Sequence, residues 1–195
     1  MFHLFEEYIK KMMPGIAAEH IQQLQAACVI KKLRRREIVL QEGEVCYYKI
    51  FVAKGLLRNY RIGENGAEYI VRFADAGTWT TDPESYYNGL PSVYTIEAIE
   101  PSELVIFTHD KFEELKKQIP SLAEFSEMVI TKSAIINQKR VMMNISATPE
   151  EMYLDFINSF PDIFHGVPLH MVASYLGISR ETLTRIRQGL ALAKE

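Results

Sequence analysis

Cysteine is scarce in this chain: Cys28 and Cys46 are the only two among 195 residues. Two thiols provide neither a disulfide framework, nor a Cys-rich zinc module, nor an all-cysteine iron–sulfur cluster. Long apolar runs are missing too. None approaches the 18 residues that a membrane span needs, so no membrane association is expected. The first ten residues mix charges with apolar side chains and lack the apolar stretch of a signal peptide. A soluble protein in a reducing cytoplasm, without metal or other cofactor, is the expectation. Excess positive charge is absent as well: 22 Lys plus Arg face 25 Asp plus Glu, for a net charge of −3. A surface that coats nucleic acid would be strongly basic, so any such contact must be local. What remains is 48% apolar and 24% charged residues, an ordinary globular composition. The length suits one large domain or two small ones.

Periodicity divides the chain. Phe2, Phe5, Tyr8, Ile9, Met12 and Met13 recur at helical spacing, and Pro14-Gly15 breaks the run. A second short helix carries Ile16, His20, Ile21 and Leu24 on one side. From about residue 28 to 108, short runs rich in Val, Ile, Tyr and Phe alternate with Gly43, Gly55, Gly66 and Gly77. Such even spacing is that of strands in an all-β sandwich or barrel. Strands are expected at 37–41, 47–53, 56–62, 67–73, 93–99 and 103–107, with Gly63-Glu64-Asn65-Gly66 as a hairpin turn. Lys31-Lys32-Leu33-Arg34-Arg35-Arg36 reads as a solvated edge strand leading into this β-roll.

Helix returns at 110–119, and Pro120 punctuates it. Residues 121–145 contain neither Pro nor Gly. Leu122, Val129, Ile136 and Met143 fall seven apart, and Met128, Ile135 and Met142 form a second such series beside them. The heptad period favours packing on a second copy, although Lys132 and Lys139 suit the other core position of that seam poorly. Leu122, Met128, Val129, Ile135, Ile136, Met142 and Met143 are therefore the candidate dimer face. Thr148-Pro149-Glu150-Glu151 then opens another helix, with Thr148 as cap, Pro149 at the first turn and Glu151 completing a capping box.

Residues 169–190 carry the most specific pattern. A helix-turn-helix needs a small residue where its helices cross and a glycine at the turn, here Ala173 and Gly177. Val172, Leu176, Ile178, Leu183 and Ile186 fill its inner face. Ser179 suits the N-cap of the second helix and, with free backbone N–H groups, can hold a phosphate. Arg180, Glu181, Thr184, Arg185 and Gln188 lie opposite the apolar face. Arg can read guanine bidentately and Glu can accept from cytosine. Residues 165–195 hold Arg180, Arg185, Arg187 and Lys194 against Glu181 and Glu195, a local charge of 4 − 2 = +2.

The order β-roll, long helix, helix-turn-helix resembles the Crp/Fnr superfamily of bacterial transcription regulators. The run from Gly177 to Ile186 is close to that superfamily's recognition-helix signature. Gly43-Glu44, with Tyr47 to Gly55, resembles its second and third strands. The resemblance implies an α+β chain in three parts. Residues 1–120 would be a cyclic-nucleotide-binding-like β-roll sensor with N-terminal helices, 121–145 a dimerisation helix, and 146–195 a helix-turn-helix domain, winged-helix-like with little or no wing. It further implies a homodimer on palindromic double-stranded DNA, contact with RNA polymerase, a small-molecule effector, and no enzymatic activity. By position, Ser179, Arg180, Glu181, Thr184 and Arg185 would contact DNA.

The chain departs from the cyclic-nucleotide members of that superfamily. Their phosphate cassette has Gly-Glu followed by Arg and a hydroxyl residue. Here Asp82 stands nearest to the Glu, while Ser92 or Val93 falls where the Arg should be. A buried phosphate without its cation is destabilised, so cyclic AMP is not the expected effector. Arg72, Phe73, Trp79, Asp82, Tyr86 and Tyr94 are the candidate pocket, suited to a small apolar or planar ligand. Two other readings compete. A β-roll enzyme would need metal-binding histidines, and residues 28–108 contain none. A DNA-blind adaptor would not need Arg180, Glu181 and Arg185 together.

Overall fold

The computed structural model describes residues 2–161 and 166–192, the side chain of Leu192 apart. Two helices, α1 (Phe2–Met12) and α2 (Ala18–Ala27), precede the strands β1 (Val29–Leu33), β2 (Ile38–Leu40), β3 (Tyr48–Lys54), β4 (Leu56–Ile62), β5 (Glu68–Asp75) and β6 (Trp79–Thr80). After α3 (Pro83–Asn88) come β7 (Thr95–Ala98) and β8 (Ser102–Thr108). Four helices in addition to the short α4 (His109–Gln118) complete the chain: α5 (Pro120–Ser146), α6 (Pro149–Ser159), α7 (Leu169–Leu176) and α8 (Arg180–Leu192). The fold is thus α+β.

The strands form two antiparallel sheets, ordered β1-β8-β3-β6 and β2-β7-β4-β5. Leu40, Ile50, Val52, Leu57, Ile96 and Leu104 fill the space between them. All six expected strands are present within a residue or two. The basic run forms edge strand β1 and the turn after it, where Lys32, Arg34, Arg35 and Arg36 are exposed. Gly55 shows why a glycine is needed between β3 and β4. Its φ is +94°, and a Cβ there would lie 2.4 Å from Ser102 Oγ and 2.7 Å from the Pro101 carbonyl oxygen. Strand β6 and helix α3 lie outside the expected elements, because two residues of strand and six of helix leave no periodicity to read.

A second core lies outside the roll. Phe5, Ile9, Leu24, Phe51, Phe107, Phe112, Ile119, Leu122 and Phe125 knit α1, α2, α4 and the start of α5 onto the β3–β8 face. Leu122 is fully buried there, which corrects its placement on the dimer face; it belongs to its own chain's core. Val129 also turns inward and packs against this core. The side of α5 open to solvent instead carries Met128, Ile135, Ile136, Met142 and Ile145, while Met143 is half-buried.

The C-terminal helices share a third core with the roll. Tyr153, Phe156, Val172, Ala173, Leu176 and Leu183 meet Leu56, Tyr60, Ile70, Phe73 and Ile99. Helix α6 opens with the capping box foreseen at Thr148 and Glu151 and with Pro149 in its first turn. The expected absence of a wing concerns residues 193–195, which lie outside the described residues.

Candidate functional site

Local chemistry builds the helix-turn-helix. Gly177 ends α7 in the left-handed region, with φ +68°. Its N–H reaches the Ser174 carbonyl at 3.2 Å, and the Ile178 N–H reaches Ala173 at 3.1 Å. This pair of bonds is the Schellman motif, which satisfies the last carbonyls of α7 while reversing the chain. Two residues later, Ser179 Oγ accepts the Thr182 N–H at 3.1 Å and caps α8. Leu183 is wholly buried beneath α7, and Ile186 and Leu190 pack beside it. The opposite face of α8 presents Arg180, Glu181, Thr184, Arg185 and Gln188 to solvent. The helix N-terminus favours negative charge: Glu181's own backbone N–H, then Ser179 and Arg180, hold its carboxyl below the ordinary glutamate range. Thr184 Oγ1 donates to the Arg180 carbonyl, and Arg185 reaches Thr182 Oγ1 at 3.4 Å.

Strand β5 is one of the two edges of its sheet, and α7 covers it. Ser174 Oγ accepts the Ile70 N–H at 3.0 Å and donates to the Glu68 carbonyl at 2.6 Å. Arg140, from α5, donates to the carbonyls of Val71, Ile70 and Tyr175. Phe73 contributes its ring to Phe156, Phe160 and Tyr175.

Between the roll and α5 lies a cavity of about 600 Å³. The roll supplies Lys49, Asn59, Arg72, Trp79 and Thr80, and α3 with the loop after it supplies Tyr87 and Tyr94. From α5 come Ser126, Val129, Ser133, Asn137 and Arg140. Of the six candidate pocket residues, Arg72, Trp79 and Tyr94 line this space, whereas Phe73, Asp82 and Tyr86 do not. Phe73 faces the docked helices instead. Tyr86 sits behind Lys49 against His109, their rings 4.8 Å apart. Asp82 is spent on structure: Oδ1 accepts the N–H groups of Glu84 and Ser85 at the start of α3, and Oδ2 accepts from Ser92 Oγ at 2.7 Å. The segment nearest to a phosphate cassette is therefore closed on itself.

Lys49 belongs to no motif in the sequence, although it shares a strand face with Phe51 and Ala53, and a cation on such a face is a signal. Its Nζ donates to Tyr87 Oη at 3.3 Å and Ser126 Oγ at 3.4 Å, and lies 4.6 Å from the centre of the Phe112 ring. Burial foremost, with Lys116 adding to it against Glu113, lowers its pKa to about 8. Burial likewise lowers the pKa of Arg72, whose guanidinium donates to the Trp79 carbonyl at 2.9 Å. Among the described residues no group of His, Cys, Asp and Glu is arranged to hold a metal, and no helix is long and apolar enough to cross a membrane.

Residues 30–118 match the family described as cyclic nucleotide-binding domain. Among solved structures, FixK2 from Bradyrhizobium japonicum superposes with a TM-score of 0.73 at 18% identity, covering 86% of each chain. The c-di-GMP responsive global regulator CLP of Xanthomonas campestris gives a TM-score of 0.74 at 12% identity, covering 91% of this chain and 93% of its own. A CooA mutant from Carboxydothermus hydrogenoformans gives 0.73 at 11%, with 95% and 84% covered. The chain shares the fold of these three proteins. No curated protein shows a significant sequence match. Within this fold, the cavity and the helix-turn-helix are linked by Arg140, which lines the first and tethers the second.

Proposed function

We propose that the chain is a sequence-specific DNA-binding transcription regulator that acts as a homodimer and takes a small effector other than cyclic AMP. Residues 1–120 form the sensor, 121–145 the dimerisation helix and 146–195 the DNA-binding unit. The observation that carries this reading is the turn around Gly177. A Schellman stop, a Ser179 cap and a buried Leu183 together fix α8 with Arg180, Glu181 and Arg185 outward. Two such helices in a dimer suit successive major grooves of a palindrome. Met128, Ile135 and Met142, exposed at seven-residue spacing on α5, support pairing through that helix. Arg140 supports regulation, since it borders the cavity while holding α7 against β5.

The test is a binding titration at fixed salt against an operator selected from random DNA and its single-base variants. Arg180→Ala and Arg185→Ala should each cost roughly 1–3 kcal/mol per half-site and relax the preference at one base pair. Glu181→Ala should broaden sequence choice without weakening non-specific binding, because its carboxylate repels phosphate. Ser179→Ala should weaken all sequences alike. Uniform losses for both arginine variants, with base preference intact, would refute the assignment of α8 as the reading helix.

A further inference from the structure

Three cationic side chains, Lys49, Arg72 and Arg140, line the cavity. Lys49 is 8% exposed, and among the described residues no carboxylate lies within ion-pair distance of it. A buried ammonium without a bonded counter-charge is costly; Glu113 acts on it only at a distance, and the rings of Phe112, Tyr86 and Tyr87 lie 4.6, 5.1 and 5.6 Å from it. The hydroxyls of Tyr87 and Ser126 accept from its Nζ, which leaves each hydroxyl hydrogen free to turn towards an acceptor. One ammonium and two hydroxyl donors thus converge at one end of the space. The rest of that end is aromatic and aliphatic: Trp79, Phe112, Phe125 and Val129. No Asp or Glu lines the cavity.

We propose that this cavity binds a small aromatic carboxylate, its carboxylate oxygens taken by Lys49, Tyr87 and Ser126 and its ring lodged against Trp79. The inference rests on the reading of the cavity as the effector site. Charge and donor count select the anion, since a carboxylate offers two acceptor oxygens and one negative charge to three donors. The apolar wall selects the ring, and a volume of about 600 Å³ leaves room for one or two fused rings. A cyclic nucleotide fits less well. Its ribose hydroxyl finds no carboxylate acceptor on the walls, and Asp82 and Ser92 are bound to each other outside them.

Trp79 is the chain's only tryptophan, so its fluorescence reports occupancy directly. The full chain is titrated with benzoate, phenylacetate and 2-naphthoate, with the corresponding amides, and with cyclic AMP, and thermal melting is followed in parallel. At least one carboxylate should change the Trp79 emission and raise the Tm, binding at least about tenfold more tightly than its amide. In Lys49→Met that preference should vanish while the ligand-free protein stays folded. Ala134→Phe, which fills the cavity from α5, should block all probes. Amides bound as tightly as carboxylates and blocked by Ala134→Phe would overturn the anion assignment while leaving the effector cavity standing. Probes that bind regardless of Ala134→Phe would overturn the cavity reading itself. No carboxylate binding at millimolar concentration, or cyclic AMP bound more tightly than every carboxylate, would also overturn the proposal.

Discussion

The guanidinium of Arg140 lies 4.0 Å from the centre of the Tyr175 ring and donates to the Tyr175 carbonyl at 2.8 Å. The same group donates to the carbonyls of Ile70 and Val71. One side chain therefore binds α5, the edge strand β5 and the first helix of the helix-turn-helix. Arginine suits this role because its planar fork both stacks on an aromatic face and donates in several directions at once.

Arg140→Met should consequently loosen that junction. The expected loss is about 1.5–3 kcal/mol in urea unfolding, the usual worth of hydrogen bonds from a charged donor. Native-state hydrogen exchange gives the sharper reading. The Ile70 amide, bonded to Ser174, should exchange faster, whereas the Leu104 amide in the roll's interior should not. Equal exchange at Ile70 in both proteins would show that Arg140 does not hold the junction.

Lys49 predicts a dependence of stability on pH. Its folded pKa of about 8 lies below the ordinary lysine value of 10.5, so between those values the unfolded chain binds more protons. Stability should then rise with pH from about 8 upwards. Tyr48 and Tyr86, whose pKa values burial raises, act in the opposite sense at higher pH. The window for the lysine effect is therefore pH 8 to about 9.5. Lys49→Met should flatten the rise across that window and add roughly 1–3 kcal/mol at pH 7, because it removes a buried charge. Chemical denaturation at half-unit pH steps provides the check, and an unchanged slope in the variant would exclude Lys49 as its source.

Assembly can be separated from folding on α5. Ile135 and Met142 are 61% and 57% exposed, whereas Leu122 is fully buried. The double variant Ile135→Lys with Met142→Lys should sediment as a monomer at micromolar concentration and unfold much as a wild-type monomer would, since its lysines point into solvent until a partner arrives. Leu122→Ala should instead lose about 2–5 kcal/mol of stability through the cavity it leaves and still pair. A wild type that sediments as a monomer, or a double variant that remains dimeric, would rule out pairing through this stripe.

Much of this was legible in the amino-acid order because it depends on local rules. The capping box at Thr148 and Glu151, the turn at Gly177 and the alternation of β3 and β4 all follow from neighbours a few residues apart. Long-range placement was harder to read. Leu122 and Met128 belong to heptad series of equal quality, and only the packing of α4 and α1 decides that one is core and the other surface. Asp82 matched a ligand-binding position by sequence, yet six residues of helix α3 claimed it as a cap. Lys49 and Arg140 border the cavity, the first a single cation in an apolar run and the second one of two adjacent cations in the polar stretch from Asn137. Their meaning depends on elements up to 77 and 70 residues away, at Ser126 and Ile70 respectively.

The covering of β5 also bears on solubility. An outermost strand offers a row of bare amide and carbonyl groups, a template on which a second chain can lay down a strand of its own. Here Ser174 and Arg140 occupy those groups at Glu68, Ile70 and Val71. The helix-turn-helix thus serves as a cap against strand-to-strand aggregation. Any motion that frees the helix-turn-helix from the roll must bare that edge, which limits how far and how long the two can part.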